Sequence, residues 1–376
     1  MLTSASSFPG RGRSLSADAW GYVHGSAGRG ETDSDDVSAF RKWRFLPRRL
    51  VSTGTVNLET SAFGMTFASP IAVAPVGVQT LFHRDGEKAT AAAAGRLSVP
   101  YVASSAASTS IEDTAQANGR ESPRFFQLYW PSNQHSHITA SLLSRAKQAG
   151  YKVLVVTLDT FVLGWRPTDL EHGFNPFIRP DHVGVEQGLS DPAFRQLFEA
   201  ETGKTVDSDV PEAARRWASI LFPGHGHSWD DLAFLQSHWD GPIVLKGIQT
   251  VADARKAVSH GVHGIVVSSH GGRQIDGCVG SLEMLPEIVQ EVGQEIEVLF
   301  DSGIRSGIDV AKALALGAKM VLIGRPWVYG LAIGGQGGVS HVLESILAEL
   351  ELSLRLMGIS SVSPESLNAS CLREIA

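Results

Sequence analysis

The chain has 376 residues, 43% of them hydrophobic, and its 32 Lys and Arg against 39 Asp and Glu give a formal net charge of −7. This acidic balance argues against a nucleic-acid partner, because phosphate backbones are bound by clustered basic residues. No apolar run approaches the roughly eighteen residues of a membrane span. The two cysteines cannot form a disulfide framework, which is typical of a reducing compartment. We therefore expect a cytoplasmic protein that binds neither nucleic acid nor a membrane.

The first residues are rich in Gly and Ser, and we expect residues 1–20 to be disordered or poorly ordered. They lack the apolar stretch of a secretory signal, although Arg11 and Arg13 in an acid-free segment leave a transit peptide as an alternative. The chain ends in Arg-Glu-Ile-Ala and so carries no peroxisomal Ser-Lys-Leu signal. Residues 21–376 are expected to form a single domain.

From residue 71 onward, short apolar runs alternate with helical patterns. The eight runs are IAVAPVG from Ile71, YVASSA from Tyr101, RFFQLYW from Arg124, VLVVTLD from Val153, PIVLKGI from Pro242, GIVVSSH from Gly264, VLFDSGI from Val298 and MVLIGRP from Met320. Such continuous runs predict strands buried on both faces of a parallel sheet. Helical patterns lie at 85–97, 135–149, 251–259 and 307–316. The pattern predicts an α/β fold of the TIM (β/α)8 barrel type, with an open doubly wound sheet as the alternative.

The regular spacing is interrupted once, after the fourth predicted strand. About eighty residues separate Asp159 from Pro242, where about thirty would be enough for one strand–helix unit. The segment 160–240 contains too many Phe and Trp residues for a disordered loop. It is therefore predicted to be a folded insertion within the single domain, a lid over the active face.

Reactive or hydrogen-bonding side chains end six of the eight predicted strands. They are Gln127, Tyr129, Thr157, Asp159, Lys246, His270 with Arg273 just beyond, Asp301 and Arg325. In barrels, catalytic residues stand at these carboxyl ends. Burying so many charges without partners would cost several kcal/mol each, so packing alone does not account for them.

Two glycine-containing segments predict a phosphate site. Residues 301–307 (DSGIRSG) open the helix after the seventh strand, and Gly324-Arg325-Pro326 follows the eighth. Backbone N–H groups at a helix start, together with Arg305 and Arg325, suit a phosphate dianion. By contrast, the pair His225 and His227 lies in a glycine-rich loop without further ligands, and we predict no metal site.

The segment SSHGGRQID at residues 268–276 resembles the hallmark of the FMN-dependent 2-hydroxy-acid oxidases and dehydrogenases, which include glycolate oxidase, lactate oxidase and lactate 2-monooxygenase. FFQLYW, VTLDT with LGWRPTDL, VLKGI, FDSGIRSGIDVAKALALGA and IGRP support the resemblance in family order. It extends from about Tyr22 to about Leu356, and GWRP-x-DL and LFPGHGHSW are most similar to the lactate 2-monooxygenase branch. The resemblance implies FMN as cofactor, a small L-2-hydroxy carboxylate as substrate, and a homo-oligomer of four or more subunits.

The resemblance also implies roles for matching residues. His270 matches the catalytic base, and Asp159 matches the carboxylate that orients it and stabilises its protonated form. Arg166 and Arg273 match the guanidinium groups that clamp the substrate carboxylate, for which a bidentate fork is well suited.

Further matching positions concern the substrate and the flavin. Tyr22 and Tyr129 match tyrosines that donate hydrogen bonds to the substrate, and Lys246 matches the cation beside flavin N1 and O2, where charge accumulates on reduction. The expected flavin-binding residues are Val76, Gly77, Ser104, Gln127, Thr157, Lys246, Ser268, Asp301, Gly303, Arg305, Gly324 and Arg325.

Two positions depart from the family pattern. Ser269 replaces the usual Asn of the hallmark, which alters a supporting hydrogen bond. Ala106 stands where many relatives carry a bulky aromatic residue facing the substrate, so a larger substrate becomes possible.

Several functions therefore stay open at this point. The expected reaction yields the 2-keto acid, with O2 as the expected electron acceptor and another acceptor as the alternative. The product is then released by an oxidase or a dehydrogenase, or decarboxylated by a monooxygenase. A bulkier hydroxy acid or a cyclic amino acid of a biosynthetic pathway is an alternative substrate. A barrel that binds a phosphate-bearing ligand without catalysis is an alternative of another class.

Overall fold

The computed structural model describes residues 15–179 and 181–375. Its N-terminal segment contains helices α1 (Ala17–His24) and α2 (Glu31–Ser38), then strands β1 (Trp43–Phe45), β2 (Thr60–Ala62) and β3 (Met65–Phe67). Ser16 caps α1 by accepting a hydrogen bond from the Ala19 amide at 3.1 Å. The expected disorder of residues 1–20 is therefore wrong for residues 17–20, which belong to α1, and residues 1–14 lie outside the described chain.

Eight parallel strands close into a barrel, which confirms the predicted fold and excludes the open sheet. They are β4 (Ile71–Val73), β5 (Tyr101–Ser104), β6 (Arg124–Tyr129), β7 (Val153–Thr157), β8 (Ile243–Ile248), β9 (Gly264–Val267), β10 (Glu297–Phe300) and β11 (Met320–Ile323). Each strand pairs with its neighbours in chain order, and β11 pairs with β4 to complete the ring. Along β6, Phe125 and Phe126 belong to two different buried clusters, as expected for strands covered on both faces.

Helices surround the barrel, and the four predicted helical patterns form helices with ends within one residue of those expected. They are α3 (Gly86–Arg96), α4 (Ile111–Asn118) and α5 (Ser136–Gln148) before the insertion, α6 (Pro167–Glu171), α7 (Glu186–Leu189), α8 (Pro192–Thr202), α9 (Val210–Leu221) and α10 (Leu232–His238) within it, and α11 (Val251–Ser259), α12 (Ser281–Val292), α13 (Gly307–Ala315) and α14 (Arg325–Leu356) after it. The short strand β12 (Leu372–Glu374) then pairs antiparallel with β1. None of the helices in the described ranges is long and apolar enough to cross a membrane.

Helix α14 is interrupted within the glycine run 334–338. Gly335 has φ +56°, a left-handed conformation that breaks the regular helix. Beyond this kink, Leu343, Leu350 and Leu354 are fully buried. The apolar stripe of this helix therefore packs within the protein, alongside α3 and α13.

The insertion 160–240 is folded, as its aromatic content predicts. Its helices enclose Phe194, Phe198 and Trp217, none of which is exposed to solvent. Gly188 permits close packing, because a Cβ atom there would lie 2.0 Å from Cδ2 of Trp217. This packed unit carries Phe177 and Phe222 to the carboxyl end of the barrel.

Candidate active site

A pocket opens at the carboxyl ends of the barrel strands and is closed on one side by the insertion and on another by α1. Fourteen predicted site residues line it: Tyr22, Val76, Gly77, Tyr129, Thr157, Arg166, Lys246, His270, Arg273, Asp301, Gly303, Arg305, Gly324 and Arg325. The structure therefore brings together residues that are separated by up to 303 positions in the chain (325 − 22).

The other four predicted residues contact this lining from behind. Ser104 Oγ donates to Gln127 Oε1 at 2.9 Å, and Gln127 Nε2 donates to Thr157 Oγ1 at 2.9 Å. Ser268 Oγ accepts a hydrogen bond from Lys246 Nζ at 2.9 Å. The fourth residue, Asp159, is paired with His270.

His270 and Asp159 form a hydrogen-bonded pair, with Nδ1 of the histidine 2.6 Å from Oδ1 of the carboxylate. Burial and the Lys246 charge lower the pKa of His270 despite the opposing effect of Asp159. Although burial alone raises the pKa of Asp159, the His270 and Lys246 charges lower it well below its usual range. The imidazole is then neutral near pH 7 with its proton on Nδ1, which leaves the Nε2 lone pair available to accept a proton.

His270 has an uncommon backbone conformation. It begins a single 3-10 turn (His270–Gly272) after β9 and adopts φ +58°. Side chains other than glycine seldom occupy this region, and when they do the strain is often associated with a functional site. The adjacent Gly271 and Gly272 also have positive φ, at +64° and +68°. The glycines beside His270 thus permit the turn that carries its side chain into the pocket.

Lys246 is a buried cation held by three neighbours. Its Nζ lies 3.3 Å from Asp301 Oδ2, 3.7 Å from Asp159 Oδ2 and 2.9 Å from Ser268 Oγ. Burial alone would lower the pKa of Lys246, but the two carboxylates outweigh it and raise the pKa. The ammonium group therefore presents a fixed positive charge at the pocket wall.

Arg166 and Arg273 form a second positively charged region of the pocket, close to His270. Arg166 Nε donates to the Arg273 carbonyl at 3.0 Å, and both guanidinium groups lie near the Tyr22 ring, at 5.9 and 4.9 Å from its centroid. Burial and the nearby Arg166 charge lower the pKa of Arg273 to about 9. Asp169 Oδ2, 4.0 Å from Arg166 Nη1, offsets part of this charge. Two neighbouring guanidinium groups against one carboxylate leave a net positive charge that suits a bound anion.

The C-terminal end of α1 accepts hydrogen bonds from two arginines of the pocket, Arg273 and Arg325. Arg273 Nη1 donates to the carbonyls of Tyr22 and Gly25 at 2.6 and 2.7 Å, and Arg325 Nε donates to the Val23 carbonyl at 3.0 Å. These carbonyls lack partners within the helix, and the helix dipole is negative at this end. The arginines therefore fix Tyr22 at the pocket.

Tyr129 contributes a buried hydroxyl from the end of β6. Burial raises the pKa of this phenol, so it remains protonated and can donate a hydrogen bond. Its ring lies 5.3 Å from that of Phe222, which in turn lies 5.0 Å from Phe177. With Ala106, these rings form an apolar end of the pocket.

Sequence reasoning missed several contributors. Gln274 joins three parts of the site, since Oε1 accepts from Arg166 at 2.8 Å and Nε2 donates to the Asp159 carbonyl at 2.9 Å. Asp33 pairs with Arg325 at 3.0 Å and lies 3.9 Å from Arg305. Gln274 belongs to the SSHGGRQID segment, so the family resemblance could have identified it as a site residue. Nothing around Asp33 in the sequence indicates its arginine partners.

The pocket suits an elongated, largely planar cofactor with an anionic tail. At one end, Arg305 and Arg325 lie beside the loops that open α13 and α14. At the other end is the Lys246 ammonium, and apolar residues such as Val76 and Leu322 lie in the wall. The backbones of Gly77 and residue 106 approach so closely that a Cβ atom on Gly77 would lie 2.3 Å from the Ala106 carbonyl oxygen. These features fit FMN.

The histidine pair of the insertion makes other contacts. His227 stacks on Trp130 with 3.7 Å between ring centroids, and its Nε2 lies 3.0 Å from the Pro131 carbonyl oxygen. Within residues 15–179 and 181–375, no group of three or more His, Cys, Asp or Glu residues is arranged to hold a metal ion.

Comparison with known proteins extends these observations. An FMN-dependent alpha-hydroxy acid dehydrogenase of Schizosaccharomyces pombe is 56% identical over 358 residues, covering 95% of this chain and 88% of the relative. An L-lactate oxidase of Lysinibacillus sphaericus is 38% identical over 350 residues, with 93% and 87% covered. A crystal structure of mandelate oxidase has a TM-score of 0.78 at 36% identity, covering 93% of this chain and 92% of that one.

The predicted affinity to the lactate 2-monooxygenase branch is not specifically supported, because the relatives described above are dehydrogenases and oxidases. The broader prediction is confirmed. The sequence pattern of the FMN-dependent dehydrogenases matches residues 12–374. This chain, an FMN-dependent oxidoreductase, therefore belongs to the FMN-dependent dehydrogenase family.

Proposed function

We propose that this enzyme oxidises an L-2-hydroxy carboxylate to the corresponding 2-keto acid and passes the electrons to O2. The observation that carries the proposal is the His270–Asp159 pair, which opens on the same pocket as Arg166 and Arg273. The pair provides a base and the arginines an anion site. FMN, when bound, supplies the two-electron acceptor.

In the proposed reaction, Arg166 and Arg273 bind the substrate carboxylate and so orient its α-carbon toward His270. The neutral imidazole takes a proton from the substrate, and ionised Asp159 stabilises the imidazolium that forms. Tyr22 and Tyr129 donate hydrogen bonds to the substrate. The Lys246 ammonium group would lie beside bound FMN and would stabilise negative charge there.

The second part of the proposal concerns the acceptor and the product. The relatives named as oxidases favour O2. The insertion brings Phe177 and Phe222 over the pocket, and this cover supports retention of the keto acid long enough for oxidative decarboxylation. Product analysis under air separates the outcomes, since an oxidase yields the keto acid and peroxide, whereas a monooxygenase yields a carboxylate one carbon shorter.

A bulkier substrate is the second candidate, and one observation favours it. Ala106 lines the same pocket as an aromatic group formed by Tyr129, Phe177 and Phe222. A small side chain there leaves space beside aromatic rings, which pack well against a substrate ring. The bound molecules named for the mandelate oxidase structures carry a phenyl group. This supports a ring-bearing hydroxy acid, or a cyclic amino acid of a biosynthetic pathway, as the physiological substrate.

One experiment tests the central proposal and ranks the substrates. The purified holoenzyme is mixed anaerobically with glycolate, L-lactate, L-mandelate and cyclic amino acids, and loss of flavin absorbance is followed. Reduction by at least one 2-hydroxy acid, abolished in His270→Ala with flavin still bound, is the expected result. Undiminished reduction in His270→Ala would contradict the proposed role of this histidine.

Two further properties are part of the proposal. We infer a homo-oligomer of four or more subunits and a cytoplasmic location, on the basis of the family resemblance and the residue composition. Light scattering on the purified holoenzyme measures the first, and fractionation of the producing cells measures the second. A monomer, or enrichment in an organelle, would contradict the corresponding inference.

A further inference from the structure

A buried carboxyl group joins the loops that follow strands β4 and β5. It belongs to Glu87, which lies in the first turn of α3 and is 1% exposed. Its Oε1 accepts hydrogen bonds from the amide of Gln79 at 3.1 Å and from that of Ser108 at 2.9 Å, and its Oε2 lies 3.0 Å from Thr109 Oγ1. One side chain therefore holds two loops that leave neighbouring strands of the barrel.

No ion pair accounts for the burial of Glu87. Among the residues that the structure describes, its partners are backbone amides and the Thr109 hydroxyl rather than a Lys, Arg or His side chain. Burying a carboxyl group without a cation is unfavourable. The favourable contribution comes from the two loop amides, because a buried N–H group without an acceptor is also costly. The contacts of Glu87 thus point to the loops as the reason for its position.

The two loops also contact each other directly. The Val78 amide donates to the Ala106 carbonyl at 3.0 Å, and a Cβ atom on Gly77 would lie 2.3 Å from the same carbonyl oxygen. Val78 adopts φ +52°, which is uncommon for a β-branched residue. Such a turn persists only where its surroundings hold it, and the next residue, Gln79, is bonded to Glu87.

Both loops line the candidate active site, the first with Gly77 and Val78 and the second with Ala106. The backbone of Gly77 is among the expected flavin contacts, and Ala106 lies at the apolar end of the pocket. We propose that Glu87 is a positioning residue that fixes these two loops against each other and so sets the shape of the pocket for FMN and for the substrate.

The proposed role requires a hydrogen-bond acceptor and not a charge. The two amides can only donate, so Oε1 must accept from both. Oε2 accepts from Thr109 when the carboxyl group is ionised and donates to it when the group is protonated, and all three contacts are kept in either state. Glu87→Gln keeps them as well, since its amide oxygen accepts from both loops and its amide nitrogen donates to Thr109. Glu87→Ala removes all three.

The test compares Glu87→Ala with Glu87→Gln, and with Asn118→Ala as the matched control, each as the FMN-bound enzyme. Asn118 is 3% exposed, and its Nδ2 donates to the Ala91 carbonyl of the same helix α3 at 2.9 Å. The control variant therefore loses a buried hydrogen bond of α3 that involves neither loop. FMN affinity is measured from the fluorescence of flavin released on dilution of the holoenzyme.

Glu87→Ala is expected to weaken FMN binding about tenfold and to raise the substrate KM by about the same factor. The limiting rate of flavin reduction should fall by no more than about threefold, because His270 and Asp159 keep their contacts. Glu87→Gln should restore FMN affinity and KM, and Asn118→Ala should lower the melting temperature without changing either. Unchanged FMN binding and KM in Glu87→Ala would overturn the proposal. So would an equal loss in Glu87→Gln or Asn118→Ala, because lost charge or lost stability would then be the cause.

Hydrogen exchange observes the loops without any turnover. In Glu87→Ala, the peptides that contain the amides of Gln79 and Ser108 should exchange about tenfold faster than in the wild type, and in Glu87→Gln they should stay protected. Unchanged protection in Glu87→Ala would contradict the proposal. If Glu87→Ala does not fold, Thr109→Val removes one of the three contacts and keeps the side-chain shape. FMN binding about two- to threefold weaker is then expected, and an unchanged affinity would count against the role of Glu87.

The effect on KM rests on the proposed function, whereas FMN affinity and hydrogen exchange do not. If no 2-hydroxy acid reduces the wild-type flavin, the proposed function fails, and the two other measurements still decide whether Glu87 positions the loops.

Discussion

Replacing Asp159 with asparagine removes one charge from the proposed catalytic pair with little change of shape. Oδ1 of the residue accepts from His270 Nδ1 at 2.6 Å and from Thr160 Oγ1 at 2.8 Å, and an amide oxygen can accept both bonds. Oδ2 is buried without a hydrogen-bond partner. An amide nitrogen in its place breaks no hydrogen bond. The variant therefore removes the negative charge without breaking a hydrogen bond, and it also removes the ion pair between Oδ2 and the Lys246 ammonium group, which lies 3.7 Å away.

The expected loss follows from the distance between the charges. The 2.6 Å contact puts the centres of the imidazolium and carboxylate charges about 4 Å apart, and two charges at that separation attract by about 4 kcal/mol at an effective dielectric constant of about 20. Since about 1.4 kcal/mol corresponds to a factor of ten in rate, the full attraction is equivalent to about three powers of ten. Because the proton is only partly transferred in the transition state, we expect the rate of flavin reduction to fall 10²- to 10³-fold.

Anaerobic stopped-flow measurement of flavin reduction gives this rate separately from substrate binding. The substrate dissociation constant should change little, because Arg166 and Arg273 are untouched. Asp240→Asn, at a carboxylate that is 84% exposed, is the matched control and should retain the wild-type rate. A loss of less than tenfold in Asp159→Asn, with flavin content unchanged, would refute the assignment of Asp159 as the charge that stabilises protonated His270.

Three further predictions follow from the pocket. Ala106→Trp should lower kcat/KM for ring-bearing hydroxy acids about 100-fold and that for lactate only a few-fold; equal losses measured by steady-state kinetics would contradict a steric role. Asp33→Asn removes an anion beside Arg325 and Arg305 and should tighten FMN binding about two- to five-fold, since the carboxylate is partly exposed and worth about 0.5–1 kcal/mol; weaker binding in fluorescence titration would show that Asp33 chiefly orders the arginines. Because burial lowers the pKa of His270 below its usual 6.5 and that of Arg273 to about 9, kcat/KM should be constant between about pH 7 and pH 8, fall toward acid pH as His270 is protonated and fall above about pH 9 as Arg273 loses its charge; a rise toward acid pH would contradict a neutral base.

The barrel was predictable because its strands carry an unambiguous pattern. Runs made mostly of consecutive apolar residues suit strands that are covered by helices outside and by side chains inside, and all eight formed strands. Their lengths were less predictable. The run IAVAPVG from Ile71 forms a strand only to Val73, since Pro75 has no N–H to donate and Val78 adopts φ +52°.

Helix α1 illustrates what the sequence alone does not reveal. Eight residues that include Gly21 are too short and too flexible to form a stable helix in isolation. Gly21 packs so tightly that a Cβ atom would lie 2.7 Å from the Thr168 side chain, and Arg273 and Arg325 bond its terminal carbonyls. The helix is stabilised by distant parts of the chain, so local propensity does not predict it.

The same limit applies to the candidate site. Strand-end positions and the family resemblance identify His270, Asp159 and Lys246, because each belongs to a recognisable segment. The residues of α2 that contact the site do not belong to such a segment. Asp33 and Asp36 stand in an acidic stretch that is typical of a solvated surface. Only tertiary structure distinguishes the buried Asp36 from its exposed neighbour Asp35.

The arginine bonds at the end of α1 also bear on when the enzyme can first bind its ligands. Tyr22 bonds to Arg273, 251 positions later, and Val23 bonds to Arg325, 302 positions later. On the ribosome, the N-terminal helix must therefore wait for nearly the whole chain to be synthesised before its partners exist. A helix that is synthesised long before Arg273 and Arg325 is therefore one of the last elements to dock, and a chain truncated before Arg325 lacks a partner that holds this helix at the pocket.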